Sequence, residues 1–285
     1  MSMASGVKAA PLKPQSFDER TRPLLPQTRT VTAFRKKVWS FANILSGQVG
    51  LRNESVRVRW IAEMLGRVAQ GSRVLDAGCG EQQFRKFCSH LIYVGQDFAK
   101  YDGKGDGVGL QTETWDHETS APDLVCEITA IPEASGSFDA ILCSEVLEHL
   151  PNPVEALREF SRLLRPSGLL LLTAPFCSIA HFTPYYFSTG FSSYWYEIHL
   201  SNLGFDILEL SPNGNFFDYV AQELRRLPAI VKRHCGGFAG VLYLAAHFSL
   251  VFPLLAILNS IAKRERGSSG LLCFGYHVVA RRTTP

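Results

Sequence analysis

The chain has no paired-cysteine spacing. Its seven cysteines (79, 88, 126, 143, 177, 235 and 273) are odd in number and include no C-x-x-C. That excludes a disulfide framework and a thiolate zinc ribbon, and it points to reduced thiols in a cytoplasmic protein. There is also little charge imbalance. Twenty-nine basic against 26 acidic residues leave +3 over 285 positions, too little to hold nucleic acid by counterion release, and no basic stripe compensates. The first thirty residues carry prolines and polar residues but no apolar run of signal-peptide length. We expect a mobile tail over 1–30 and a single packed domain over 31–285.

What the chain does have is a glycine turn between two strand-like runs. Val74-Leu75-Asp76-Ala77-Gly78-Cys79-Gly80 ends an apolar run in an acid and turns on glycines. Val94-Gly95-Gln96-Asp97 follows with a second acid. This is the layout of a nucleoside-binding βαβ unit at the carboxyl edge of a parallel sheet, with glycines where a backbone must approach a ligand closely. Asp97 is placed to accept both ribose hydroxyls. A dinucleotide fingerprint needs a third glycine, and Gln83 stands there instead. A buried Asp76 would repel a pyrophosphate and attract an ammonium group. S-adenosylmethionine (SAM) has the ammonium and no phosphate, so SAM is the expected cofactor. Cys79 is read as packing.

Three further segments extend the pattern in order. They are Asp123-Leu124-Val125-Cys126-Glu127-Ile128, then Phe138 to Leu150 with Ser144-Glu145-Val146-Leu147-Glu148-His149, then Leu163-Leu164-Arg165-Pro166-Ser167-Gly168 running into Leu169–Thr173. Over roughly 55–210 the chain resembles the class I SAM-dependent methyltransferases, type 11-like. The resemblance implies a Rossmann-like, seven-stranded, mostly parallel α/β sheet sandwiched by helices, with an antiparallel last strand. It implies SAM contacts from Asp76, Gly78, Gly80, Asp97, Phe98, Glu127, Ile128, Ser144 and Glu145, with Glu127 and Ile128 reading the adenine. Two departures stand out: Gln82 where many members carry glycine, and Glu127 for the commoner aspartate.

Periodicity predicts helices over Glu54–Arg67, Phe84–Leu91, Asn152–Leu164 and Glu197–Leu203. It predicts strands over Arg73–Asp76, Ile92–Asp97, Asp123–Glu127, Ala140–Ser144, Leu169–Ala174, Phe205–Leu210 and Gly275–Arg282. In the third helix Val154, Leu157, Phe160, Leu163 and Leu164 should point inward, and Glu155, Arg158, Glu159 and Arg162 outward. Between Val31 and Ile44, aromatic and basic residues alternate as in a short amphipathic helix, covering the sheet or touching a membrane surface. Asp102 to Glu113 nearly fits a calcium EF-hand loop, but Lys104 occupies a ligand position and no helix precedes it. No metal is expected; a mobile loop is.

For chemistry, His149 follows the fourth strand at the ligand edge and reads either as an orienting residue or as a general base. Glu145 has the same double reading, and Glu148 is expected to face solvent. After the fifth strand come His181, Phe182, Tyr185, Tyr186 and Phe187, then Phe191, Tyr194, Trp195 and Tyr196. That density suits either a lid over an acceptor or a satellite core. His181 and Tyr185 are acid–base candidates. The acceptor is expected to be small or linked to a lipid or glycan, with O-methylation favoured; a quinone or lipid methyltransferase and a non-catalytic SAM-binding module compete. Nucleic acid is not expected, since residues 143–146 read Cys-Ser-Glu-Val and not an amino-methylation motif.

Phe238 to Ile261 is 24 residues without a formal charge. Within an expected helical insertion at about 212–270, Pro253 should divide it into a hairpin of 15- and 8-residue arms, each short of the roughly 20 residues that cross a bilayer. Basic residues at both ends (Lys232, Arg233; Lys263, Arg264, Arg266) allow it either to pack on the domain or to dip into the inner membrane leaflet.

Overall fold

The structure is a computed structural model describing residues 47–103, 105–110, 121–235 and 237–283. The expected tail, the segment at 31–44, and Lys104 and Glu113 of the calcium-like loop lie outside the described residues.

Seven strands form one sheet: β1 (Arg73–Ala77), β2 (Ile92–Asp97), β3 (Leu124–Val125), β4 (Phe138–Ser144), β5 (Leu164–Pro175), β6 (Phe205–Asn213) and β7 (Gly275–Arg282). Their order is β3-β2-β1-β4-β5-β7-β6. β1 to β5 pair in parallel, and β7 lies antiparallel between β5 and β6. This is the expected fold class. The central strands are apolar without alternation because both faces are covered. On one face Leu75, Ala77, Ile141, Leu170 and Leu172 pack with α2 (Pro153–Leu163) and α3 (Ser193–Asn202). On the other, Val74, Ala140, Leu142 and Leu171 meet Trp60, Ile61, Met64 and Leu65 of α1 (Asn53–Arg67).

Three local expectations need correction. The segment after the glycine turn holds only a 3-10 turn, Arg85–Phe87. Residues 78–91 run through the glycine loop and a series of turns before the chain re-enters the sheet at Ile92 beside β1. Phe84 and Cys88 fill the gap beside α1 instead. In α2, Glu159 is buried, not outward. It accepts the Ile131 backbone N–H at 2.8 Å and pairs with Arg162 at 2.7 Å, so it pins the loop before β4. The start of the final sheet motif is also longer than expected, β5 beginning at Leu164.

The chain leaves the sheet at Asn213 and returns at Gly275, which is Asn213's pairing partner. Between them, α4 (Phe216–His234) and α5 (Gly237–Ala262) form a helical pair. Pro253 therefore does not divide the apolar run: α5 continues through it, as α4 continues through Pro228. An interior proline costs about 3 kcal/mol, and helix–helix packing offsets that cost here. Val49, Ala221, Leu255 and Leu258 make a small core between the elements. The Asn215 side chain caps α4 through the Asp218 N–H and donates to the Ala262 carbonyl, fastening the start of one helix to the end of the other. Among the described residues, no helix is long and apolar enough to cross a membrane. Strand pairing gives the same answer, since a single crossing would separate β6 from β7.

Leu255 is 1% exposed and Leu250 71% exposed on the same helix. If α5 packs as described, Leu255→Ala should destabilise by about 2–4 kcal/mol and Leu250→Ala by less than about 0.5 kcal/mol, read by urea denaturation. Equal effects would show that α5 is not docked this way.

Candidate functional site

The carboxyl ends of β1, β2 and β4 open onto a cavity of about 270 Å³. Gly78 forms its floor in a left-handed conformation, φ +73°, and a Cβ there would meet Val146 at 2.5 Å. Only glycine can make this turn. Gln96 holds the turn from the next strand: its carbonyl accepts the Gly78 N–H at 2.8 Å, its Oε1 lies 3.2 Å from the same nitrogen, and its Nε2 donates to the Cys126 carbonyl at 2.7 Å. Asp97 is buried in the wall, with Oδ2 accepting the Gly80 N–H (3.0 Å) and Oδ1 the Ala99 N–H (2.8 Å). Its carboxylate is fixed by its own loop before any ligand arrives.

Of the expected site residues, Gly78, Asp97, Phe98, Glu127, Ile128, Glu145, His149 and Tyr185 line this cavity. Asp76, Gly80, Ser144 and His181 are not in its wall. Asp76 points to the opposite face of the sheet and accepts the Tyr93 hydroxyl at 2.7 Å. Ser144 bonds Thr173 at 2.9 Å behind the wall. Sequence reasoning missed Gln96, Lys100 and Tyr101 as lining residues. Lys100 is legible in hindsight, three positions past Asp97, and it pairs with Glu127 at 2.5 Å.

The aromatic stretch after β5 divides in two. Phe182, Tyr185 and Phe187 close the cavity, with the Tyr185 ring edge-on to Phe98 at 5.0 Å. Phe191 and Tyr196 are buried in the main core instead. The stretch thus contributes one part to the cavity wall and the other to the core. Gln82, Ala99, Glu145 and Phe182 all have φ between +51° and +55°. Non-glycine residues in this region cost of order 1–3 kcal/mol each and gather at functional sites. Gln82 occupies the family's glycine position at that cost, and its amide ties to the Ala121 carbonyl and to Arg85.

Beside the cavity, the turn Leu147–His149 places Glu148 wholly inside the protein, 0% exposed, which overturns the solvent-facing expectation. The reason lies in the loop after β5: the Phe187 and Ser188 N–H groups both donate to the Glu148 carbonyl and fold that loop over it. Burial, reinforced by the charge of Glu145, pushes the Glu148 carboxyl well above its ordinary range. Burial, and then the neighbouring His181, push His149 down to about 4. At that value His149 is neutral at pH 7 and a weak base. Glu145 is held by Arg57 of α1 at 3.0 Å and by the Thr173 hydroxyl at 3.1 Å.

Asp76 is 2% exposed, and burial raises it to about 7, against the lowering effect of its Tyr93 hydrogen bond. A carboxyl raised in the folded state binds its proton more tightly there than when unfolded. Stability is therefore lost as pH rises from about 4 to about 7. In the ligand-free protein, the stability advantage of Asp76→Asn over wild type should widen by roughly 2–3 kcal/mol between pH 5 and pH 8. Denaturant melts at the two pH values measure it, and a constant difference refutes the shift.

The comparisons with known proteins come to the same place. A family profile described as a methyltransferase domain matches residues 51–232. The ubiquinone biosynthesis O-methyltransferase of Xanthomonas oryzae is 34% identical over 109 residues, covering 36% of this chain and 43% of that one. A mouse tRNA (carboxymethyluridine(34)-5-O)-methyltransferase, ALKBH8, is 34% identical over 115 residues, covering 39% and 16%. The chain thus spans less than half the length of either relative. Among solved structures, Haemonchus contortus phosphoethanolamine N-methyltransferase 2 in complex with SAM aligns over 80% of this chain and 52% of its own, with 16% identity and a TM-score of 0.45. With its motifs in order and the profile spanning most of its length, the chain belongs to the class I SAM-dependent methyltransferase family.

Proposed function

We propose that this protein transfers a methyl group from SAM to an oxygen of a small or lipid- or glycan-linked acceptor. The supporting observation is the cavity at the carboxyl edge, where the prefixed Asp97 carboxylate, the glycine turn and an aromatic wall converge. Asp97 would take the ribose, with Glu127 and Ile128 beside the adenine and Phe98 and Tyr185 flanking. Bound there, SAM supplies an electrophilic methyl on a sulfonium. The protein's own contribution is then positioning and exclusion of water by the loop carrying Phe182, Tyr185 and Phe187. That loop is cross-linked to the β4 turn through His149, whose Nδ1 lies 2.5 Å from the Tyr185 carbonyl. Asp97→Ala should weaken SAM by about 1–3 kcal/mol in calorimetry. Unchanged affinity would remove the cofactor assignment, and transfer of labelled methyl to an acceptor panel separates an enzyme from a SAM-binding module.

A lipid-linked acceptor is favoured by the outer face of α5. Leu250, Leu254, Ile257 and Ile261 recur at helical spacing and are 39–71% exposed. Lys263, Arg264 and Arg266 follow directly. Such a stripe with flanking positive charge suits shallow contact with an anionic bilayer surface, bringing the site to its acceptor. The wild-type protein should float with anionic liposomes, and Leu250→Glu with Ile257→Glu should abolish this without lowering the melting temperature. If both float alike, or neither does, the stripe has another role.

A further inference from the structure

One group of side chains beside the cavity is left unexplained by methyl transfer. Glu148 is 0% exposed, and neither of its carboxylate oxygens has a hydrogen-bond partner. His149 Nε2 is likewise buried without one. The Nδ1 atoms of His149 and His181 face backbone carbonyls, those of Tyr185 (2.5 Å) and Ile179 (2.9 Å). A carbonyl can only accept, so Nδ1 carries the hydrogen in each ring and Nε2 carries the lone pair. Both Nε2 lone pairs converge on Glu148 Oε1, at 3.7 and 3.9 Å.

Those distances are too long for hydrogen bonds, yet the three donor atoms lie within 4.8 Å of one another. Two donors sharing a zinc-sized ion, at bond lengths near 2.1 Å, are about 3.3 Å apart. The two separations to Glu148 Oε1 exceed that by only about 0.4–0.6 Å, and the histidines would close the remaining distance on binding. Arg57 is engaged by Glu145 at 3.0 Å, so the close partners of the buried Glu148 carboxyl are the two imidazoles. Buried polar atoms without partners are costly, and a coordinated metal, which displaces the carboxyl proton on binding, is one way a protein satisfies them. The outward hydrogen bonds from both Nδ1 atoms are those that orient metal-bound imidazoles.

We propose that Glu148, His149 and His181 bind one divalent first-row transition cation, with its remaining coordination positions open to the cavity that His149 lines. Two imidazoles and one carboxylate suit Zn²⁺, Mn²⁺, Fe²⁺ or Co²⁺ better than Ca²⁺ or Mg²⁺. Three protein ligands with a free position describe a reactive site rather than a structural one. The class of ligand such an ion would take from the cavity is an oxygen donor, such as a hydroxyl or enolate of the acceptor. The site does not depend on the cofactor assignment, and SAM binding is measured separately.

The test uses the tag-free, full-length protein, stripped with a chelator and titrated calorimetrically with Zn²⁺ and with Mn²⁺. Wild type should bind one equivalent of at least one of them, and the Co²⁺ form should show visible d–d absorption. His181→Ala and Glu148→Gln should each weaken binding by at least about 10-fold, a loss comparable to that of an orienting outer partner. Cys235→Ser, which removes an exposed thiol, should change nothing. Metal should raise the melting temperature of wild type and leave that of both variants unchanged. No stoichiometric uptake by wild type, or equal uptake by wild type and both variants, overturns the proposal.

Discussion

The pairing of β4 with β5 is the constraint on which the site depends. Ser144 is in register with Thr173, and the strand contact continues one step further as the Glu145 N–H donates to the Thr173 carbonyl at 2.8 Å. That register forces the chain after β4 and the chain after β5 to emerge side by side. The turn at Leu147–His149 and the loop at 182–188 then have no room except against each other. Their remaining backbone donors pair across the gap, Phe187 and Ser188 onto Glu148. A slip of one residue would reverse every side chain of β5, whose leucines are buried on both faces. The burial of the sheet thus fixes the geometry of loops that it never touches.

Strain follows from the same crowding. Ala99, Glu145 and Phe182 each take a left-handed backbone conformation; Glu145 and Phe182 line the cavity, and Ala99 sits between its lining residues Phe98 and Lys100. They lie on three different connections, after β2, β4 and β5, so no single loop accounts for them. Each conformation is secured from outside its own segment or by a side chain. Asp97 accepts the Ala99 N–H, Thr173 fixes Glu145, and Leu110 accepts the Phe182 N–H. A rigid sheet edge holds these connections in shapes the isolated chain would avoid, so the cavity exists before a ligand enters it.

Much of this was legible in the sequence, for reasons that are local. Glycines 78 and 80 mark a turn that only they can make, and unbroken apolar runs such as Leu169–Thr173 mark strands covered on both sides. What was not legible depended on partners far along the chain. Glu148 reads as a surface residue because its neighbours in sequence, His149 and Asn152, are polar; its burial comes from backbone donors nearly forty positions later. Glu159 reads as outward by helical spacing, and it is drawn in by the Ile131 N–H and Arg162. Residues 84–91 have helical composition, but Phe84 and Cys88 are drawn into the core beside α1 from a chain of turns.

Pro253 shows the same limit from the other side. Read locally, it ends a helix; read with α4 beside it, the helix gains more from packing Leu255 and Leu258 on Ala221 than it loses in one backbone hydrogen bond. The continuous helix has a further consequence that a hairpin of two short arms would not. It presents Leu250, Leu254, Ile257 and Ile261 on one outer stripe, while Leu255 and Leu258 of the same helix pack with Ala221 of α4. Asn215, bonded to both the Asp218 N–H and the Ala262 carbonyl, closes the insertion at its base.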